Sequence, residues 1–321
     1  MTVPTLLATY RKNFYPPFSL GGLPILTSDS GWSCCIRSSQ TLLLNAISKA
    51  SPSLDAITLC SSFDDSSGCF GLRALLNGDI EAKWRGPHEV CYLLARSVHT
   101  DALTQLSLLV QSDGTISLNE VTNSLKIGGG RPTLILLPLR MSPNNQLGLG
   151  ATSREFLKLL SLSSCVGAIS GPPGHCLCLL PTPGGGYTAL DPHRVQPLSE
   201  SPEELAASLI ALPTDFREIQ VRELDSSCAF GFLIRNAEDY ADFCQKGAIA
   251  SSSLAFVVSR EVGESPHDNI LSPASGDDEP DGWVDASAPT PIEILPLPSP
   301  SLRLRVWRWM LSLARALRGF R

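Results

Sequence analysis

The chain of 321 residues is 43% hydrophobic and 17% charged, enough apolar material to bury a sizeable core in one large domain or two small ones. Its formal net charge of −6 excludes a general nucleic-acid binder, which needs a basic surface for phosphates. No run approaches the roughly 18 apolar residues of a membrane span, and the first residues lack a signal peptide's basic start and apolar stretch, so a cytoplasmic protein with reduced thiols is expected.

Thr9 to Phe14 is a short amphipathic entry, and Ser19 to Ser30, rich in Gly, Pro and Ser, reads as a surface loop. A helix starts at Ser33 or Cys34. Ile36, Leu43, Leu44 and Ile47 recur there at helical spacing, with Ser33 as N-cap and Pro52 as the stop. Trp84-Arg85-Gly86-Pro87 forms a turn, and Pro87 opens a helix through Arg96. Leu106 to Val110 and Thr115 to Val121 read as strands, and the continuous apolar run Pro132 to Leu139 suits a central strand buried on both faces. A helix over Ser153 to Leu162 precedes three strands, Cys165 to Ser170, His175 to Leu180 and Tyr187 to Leu190. Pro202 to Ile210 is a short helix, Cys228 to Ile234 a strand, Ala237 to Cys244 a helix, and Leu254 to Ser259 one more strand.

The pattern stops after about Glu261. Residues 1–262 are therefore taken as an α+β catalytic domain, 263–300 as a disordered linker rich in Pro, Ser and Asp, and 301–321 as a terminal helix. In that last segment Arg303, Arg308, Arg315 and Arg318 fall on one helical side, and Leu302, Val306, Trp309, Met310, Leu313, Leu317 and Phe320 on the other. A basic amphipathic helix with tryptophan suits an anionic membrane surface, with a helix docked on the domain or a disordered tail as the alternatives. The ten cysteines are scattered. Cys176-Leu177-Cys178 beside His175 has no second pair at zinc-like spacing and fits a strand with one face buried, so no metal and no cofactor are expected.

Two short segments carry candidate chemistry. Asp29-Ser30-Gly31-Trp32-Ser33-Cys34 sets a cysteine after a glycine turn at a helix start, where partial positive charge favours a thiolate. Alone, this position fits a small buried residue better than a nucleophile. Leu190-Asp191-Pro192-His193 leaves a strand; in extended backbone Asp191 and His193 point the same way, one to orient a base and one to act as it. Alone, this segment equally fits a polar turn with Asp191 capping amides.

Together with others in this order, these motifs resemble one family, the autophagins, which are autophagy cysteine proteases. The resemblance covers roughly residues 8 to 260. Thr9-Tyr10-Arg11-Lys12-Asn13-Phe14 is similar to the entry motif, and Thr27 to Cys34 followed by Arg37 and Gln40 to the nucleophile motif. Trp84-Arg85-Gly86-Pro87, Pro138-Leu139-Arg140, Val166-Gly167, Leu190 to Pro197, Ala229-Phe230-Gly231-Phe232 and Asp239 to Cys244 match further motifs. The resemblance implies a papain-like fold with a small extra subdomain and the order Cys, Asp, His. It makes Cys34 the nucleophile, His193 the base, Asp191 the orienting acid, Tyr10 an oxyanion donor beside the Cys34 amide, and Trp84 a wall of the substrate channel. It implies a partner, a ubiquitin-like autophagy modifier of the GABARAP type, processed after its glycine and released from phosphatidylethanolamine by a monomeric enzyme.

The chain departs from the family in Ser33, where Gly is usual, and in Cys35, where Met is usual. Ser170-Gly171-Pro172-Pro173-Gly174 replaces a Gly-Gly-x-Pro regulatory loop only approximately, and parts of the small subdomain look shortened. The chain starts just before Tyr10, so the family's preceding regulatory segment is expected to be missing. Ile292-Glu293-Ile294-Leu295 resembles a C-terminal modifier-docking motif with Ile292 at the usual aromatic position, and Trp283 is the other candidate anchor. The competing readings are another papain-like thiol protease, or a catalytically dead homologue that binds the modifier.

Overall fold

The structure, a computed structural model, describes residues 5–77, 81–98, 106–112, 114–127, 131–250 and 255–257. The expected linker, the terminal amphipathic helix and the candidate anchors Trp283 and Ile292 lie outside the described residues. The strands in chain order are β1 (Tyr10–Lys12), β2 (Phe18–Leu20), β3 (Leu23–Leu26), β4 (Ser107–Val110), β5 (Thr115–Ser117), β6 (Thr133–Arg140) and β7 (Cys165–Ser170), then β8 (Leu177–Pro181), β9 (Tyr187–Leu190), β10 (Val195–Pro197), β11 (Phe216–Arg217), β12 (Ser227–Ile234) and β13 (Ala255–Val257). The α-helices are α1 (Cys34–Ala50), α2 (Ala56–Ser61), α3 (Leu72–Leu76), α4 (Pro87–Val98), α5 (Leu118–Ile127), α6 (Ala151–Leu160), α7 (Pro202–Ser208) and α8 (Ala237–Ala250).

A mixed seven-stranded sheet in the order β11-β9-β8-β7-β12-β6-β4 forms the centre, antiparallel except where β4 runs parallel to β6. β6 lies second from the sheet edge, between β12 and β4, and its run is apolar because both its faces are covered. Leu134 and Leu136 join one core with α1 and α4, whereas Ile135 and Leu137 join a second with Phe156 of α6 and Phe243 of α8. This is the expected α+β, papain-like arrangement. Its defining element is α1, a helix buried almost all round, with every residue from Cys34 to Leu44 inside. Two of the polar side chains it carries inward bond backbone carbonyls: Thr41 Oγ1 donates to the Arg37 carbonyl at 2.9 Å, and Gln40 Nε2 to the Phe70 carbonyl at 2.7 Å.

Leu42 of α1 rests on a pair of glycines directly opposed across two strands, Gly167 on β7 and Gly231 on β12. A Cβ on Gly167 would lie 2.8 Å from Leu42 Cδ1, and one on Gly231 3.1 Å from Leu42 Cδ2. The missing side chains bring α1 close to the sheet and so bring Cys34 to the strand ends where the other site residues sit.

Four expectations are corrected. The loop over Ser19 to Ser30 contains most of a hairpin: β2 and β3 meet at Gly21-Gly22, whose φ values of 59° and 81° supply the left-handed two-residue turn that favours glycine. The strand expected over Thr115 to Val121 becomes a helix at Leu118, where Ser117 Oγ accepts the Glu120 amide at 3.3 Å. Ser33 occupies the N-cap position of α1 but makes no cap bond. Its hydroxyl donates instead to Asp29 Oδ2 at 2.5 Å. The His175 to Leu180 strand is not buried on one face only, because Leu177 is as buried as Cys176 and Cys178.

Candidate active site

Cys34 is the first residue of α1, and the turn before it is set by Gly31, which takes φ 89°. Asp191 follows β9 at the next site position, and Pro192 and His193 form the turn that leads to β10. The His193 backbone amide donates to Asp191 Oδ1 at 2.9 Å, and His193 Nδ1–H donates to the same oxygen. The ring is therefore held with Nε2 away from Asp191, and its side chain hydrogen-bonds Cys34. The two readings of Asp191, amide cap and ring orienter, both hold at once. Tyr10, on β1, is buried; its hydroxyl donates to Cys34, and its ring meets His193 edge-on with centroids 5.2 Å apart. The four residues from Tyr10, Cys34, Asp191 and His193 are thus brought into one cluster.

The electrostatics divide the two adjacent cysteines. Burial pushes the Cys34 thiol up, but hydrogen bonds from His193, from the Cys176 backbone amide and from Tyr10, with the His193 charge, bring it net below its ordinary value. Cys35 points into the core. Burial first, then contact with the Cys176 thiol, push it well above its ordinary value. His193 is raised to about 9 by its hydrogen bonds to Asp191 and then to Cys34, against burial. Asp191 is held well below the ordinary carboxylate range: burial opposes this, and the hydrogen bonds from His193 and Arg217 outweigh it. Tyr10 is raised above its ordinary value by burial and then by the Cys34 charge, so it stays a protonated donor. The arrangement can hold a thiolate against an imidazolium, with a hydroxyl beside them.

Trp84 is 52% exposed and not a core aromatic. It lines a small cleft with Pro87, Pro172, His175 and Cys176, and Cys176 is the residue whose amide reaches Cys34. The Gly171 to Gly174 loop forms one wall of that cleft, and a Cβ on Gly171 would fall 2.1 Å from the His175 carbonyl oxygen. Three contributors escaped sequence reading. Arg217 Nε donates to Asp191 Oδ2 at 2.6 Å from the edge strand β11, and no motif marks it. His175 stacks edge-on to His193 at 5.4 Å, and only its proximity to two cysteines singled it out. The Cys176 amide gives no side-chain signal at all. Among the described residues no cluster of three or more His, Cys, Asp or Glu is arranged to hold a metal.

Comparison with known proteins gives a consistent result. The family profile of the peptidase C54 catalytic domain matches residues 2–246. The chain is 25% identical over 307 residues to cysteine protease ATG4D of Xenopus laevis, covering 74% of this chain and 64% of that protein. It is 27% identical to a probable cysteine protease ATG4 of Coccidioides immitis, covering 68% of this chain and 55% of that protein. It is also 27% identical to a probable cysteine protease atg4 of Schizosaccharomyces pombe, covering 73% and 72%. The chain thus spans less than two thirds of the length of the first two relatives. With the profile matched over well more than half of its residues, the chain belongs to the peptidase C54 family of cysteine proteases.

Proposed function

We propose that this chain is an autophagy cysteine endopeptidase that cleaves after the C-terminal glycine of a ubiquitin-like modifier of the GABARAP type, both to process it and to release it from phosphatidylethanolamine. The observation that carries this reading is the contact of Cys34, at the start of a buried helix, with a His193 that is itself fixed by Asp191. The Cys34 thiolate attacks the glycyl carbonyl, and the tetrahedral oxygen is held by Tyr10 and the Cys34 amide; one such donor is worth about 3 kcal/mol. The His193 imidazolium gives its proton to the leaving amine, and the neutral ring then takes a proton from the water that opens the thioester. Trp84 and the Gly171 to Gly174 loop line the cleft, and on this reading the channel admits glycine and excludes larger side chains.

Residues 301–321 carry six arginines and no acid, and we assign them contact with an anionic membrane surface, where a lipidated substrate sits. Binding to anionic liposomes that high salt reverses supports this part; no liposome binding removes it. The main reading is tested by cleavage of a C-terminally tagged modifier. Cleavage after glycine by the wild type and not by Cys34→Ala is the expected result. Binding of the modifier by both without cleavage by either overturns the catalytic reading in favour of an interaction protein.

A further inference from the structure

We infer that Asp29 is a positioning residue of this site, a buried carboxylate that ties the oxyanion strand to the head of the nucleophile helix. The inference rests on the reading of Cys34 and His193 as nucleophile and base. Asp29 is fully buried. Its Oδ1 accepts the Arg11 backbone amide of β1 at 2.6 Å, next to Tyr10. Its Oδ2 accepts two groups at the head of α1, the Ser33 hydroxyl at 2.5 Å and Arg37 Nε at 2.7 Å. One carboxylate therefore bonds the residue after Tyr10 with one oxygen and the residue before Cys34 with the other.

Strand β1 carries the connection on to the base. The Tyr10 amide donates to the Pro192 carbonyl at 2.9 Å, between Asp191 and His193. Oxyanion donor, nucleophile and base are thus set against one another through β1, and Asp29 closes the link on the nucleophile side. Arg37 is kept in place from its far end, where Nη1 donates to Asp65 Oδ1 at 2.8 Å and to Gln40 Oε1 at 3.0 Å. A buried carboxylate with three donors on it is rigid, because moving it breaks charge-assisted bonds that no water replaces. The chain's own Ser33 adds the third donor, which a glycine at that position does not supply.

Asp29→Asn keeps the shape and removes one acceptor oxygen, so either the Arg11 amide or the Ser33 and Arg37 donors face an amide N–H. Displacing reacting groups by about 1 Å costs about a hundredfold in rate, so Asp29→Asn is expected to lower kcat by about ten- to a hundredfold while KM for the tagged modifier stays within about twofold. The pH profile of Cys34 alkylation by iodoacetamide, with Cys34→Ala as blank, should move its acid limb to higher pH as the pairing with His193 loosens. Ser33→Ala, which deletes one donor and no cap bond, should shift both quantities in the same direction by a smaller factor. A folded Asp29→Asn with unchanged kcat and an unchanged alkylation limb, whatever its melting temperature, overturns the inference. If Asp29→Asn does not fold, unchanged kcat and limb in Ser33→Ala overturn it. If the wild type cleaves no modifier, the proposed function fails, and the alkylation limb still decides the role of Asp29.

Discussion

Two neighbouring thiols, Cys34 and Cys35, differ by one helical position and are sorted by what they touch. Cys34 meets His193 and Tyr10, and Cys35 meets the Cys176 thiol inside the core. Cys34→Ala is expected to abolish turnover with the fold intact, whereas Cys35→Ala should retain it and lose about 1 kcal/mol of stability to a small cavity. Turnover assays on both variants, with urea unfolding, check this; activity surviving in Cys34→Ala and lost in Cys35→Ala would falsify the assignment. Asp191→Asn should lower kcat by about 10⁴-fold, the loss an equivalent change gives in a serine-protease triad, because the amide can present its N–H to Nδ1 and select the wrong tautomer. Single-turnover kinetics would show it, and a loss under tenfold would reduce Asp191 to an amide cap. At this scale the meeting of Cys34, Asp191, His193 and Tyr10 in one cluster was legible because each sits in a motif whose neighbours are also present. Arg217 was not: it reaches Asp191 across the register of β11 on β9, and sheet register is not written in a short edge strand.

Elements with one strong periodic signal were legible, including α1, β6, β7, β9 and β12. Those that depend on a turn or a cap were read less well. The β2–β3 hairpin was hidden by a Gly-Gly turn inside a segment of loop-like composition, and α5 by a Ser117 to Glu120 cap inside a run of strand-forming residues. The contact of α1 with the sheet was legible only as motifs, since Gly167 and Gly231 gain their meaning when β7 and β12 pair them beneath Leu42. That contact gives an element-scale prediction. Gly231→Val must push Leu42 and α1 away from β12, an overpacking that costs about 1–3 kcal/mol, and it should lower kcat more than stability alone explains because Cys34 moves with α1. Chemical denaturation and active-site titration of the same preparation separate the two effects. A Gly231→Val protein with wild-type kcat per titrated site means that α1 is free to shift without moving the nucleophile.

Across the whole molecule the site is assembled from two sides: α1 brings the thiol from one core, and the β9–β10 turn brings the base from the sheet, with β1 bonded to both. Its working state is a charge pair, and pH acts on the two members in opposite directions. His193 binds its proton more tightly when folded, at about 9, than in the unfolded chain, at roughly 6.5. Its contribution to stability is therefore fully present below the unfolded value and is lost as pH rises through about 9. Cys34 is lowered in the folded state, so its contribution is present above the unfolded value and is lost as pH falls through the folded one. The melting-temperature difference between wild type and His193→Gln should accordingly shrink between neutral pH and pH values above about 9. Catalysis and thiol reactivity should part company over the same range. Alkylation of Cys34 needs only the thiolate and stays fast at high pH, whereas cleavage also needs the His193 proton for the leaving amine and should fall as pH passes about 9. Measuring both on one preparation decides the matter. A joint fall would point to unfolding, and cleavage that stays level well above that pH would mean that the leaving group takes its proton from somewhere other than His193.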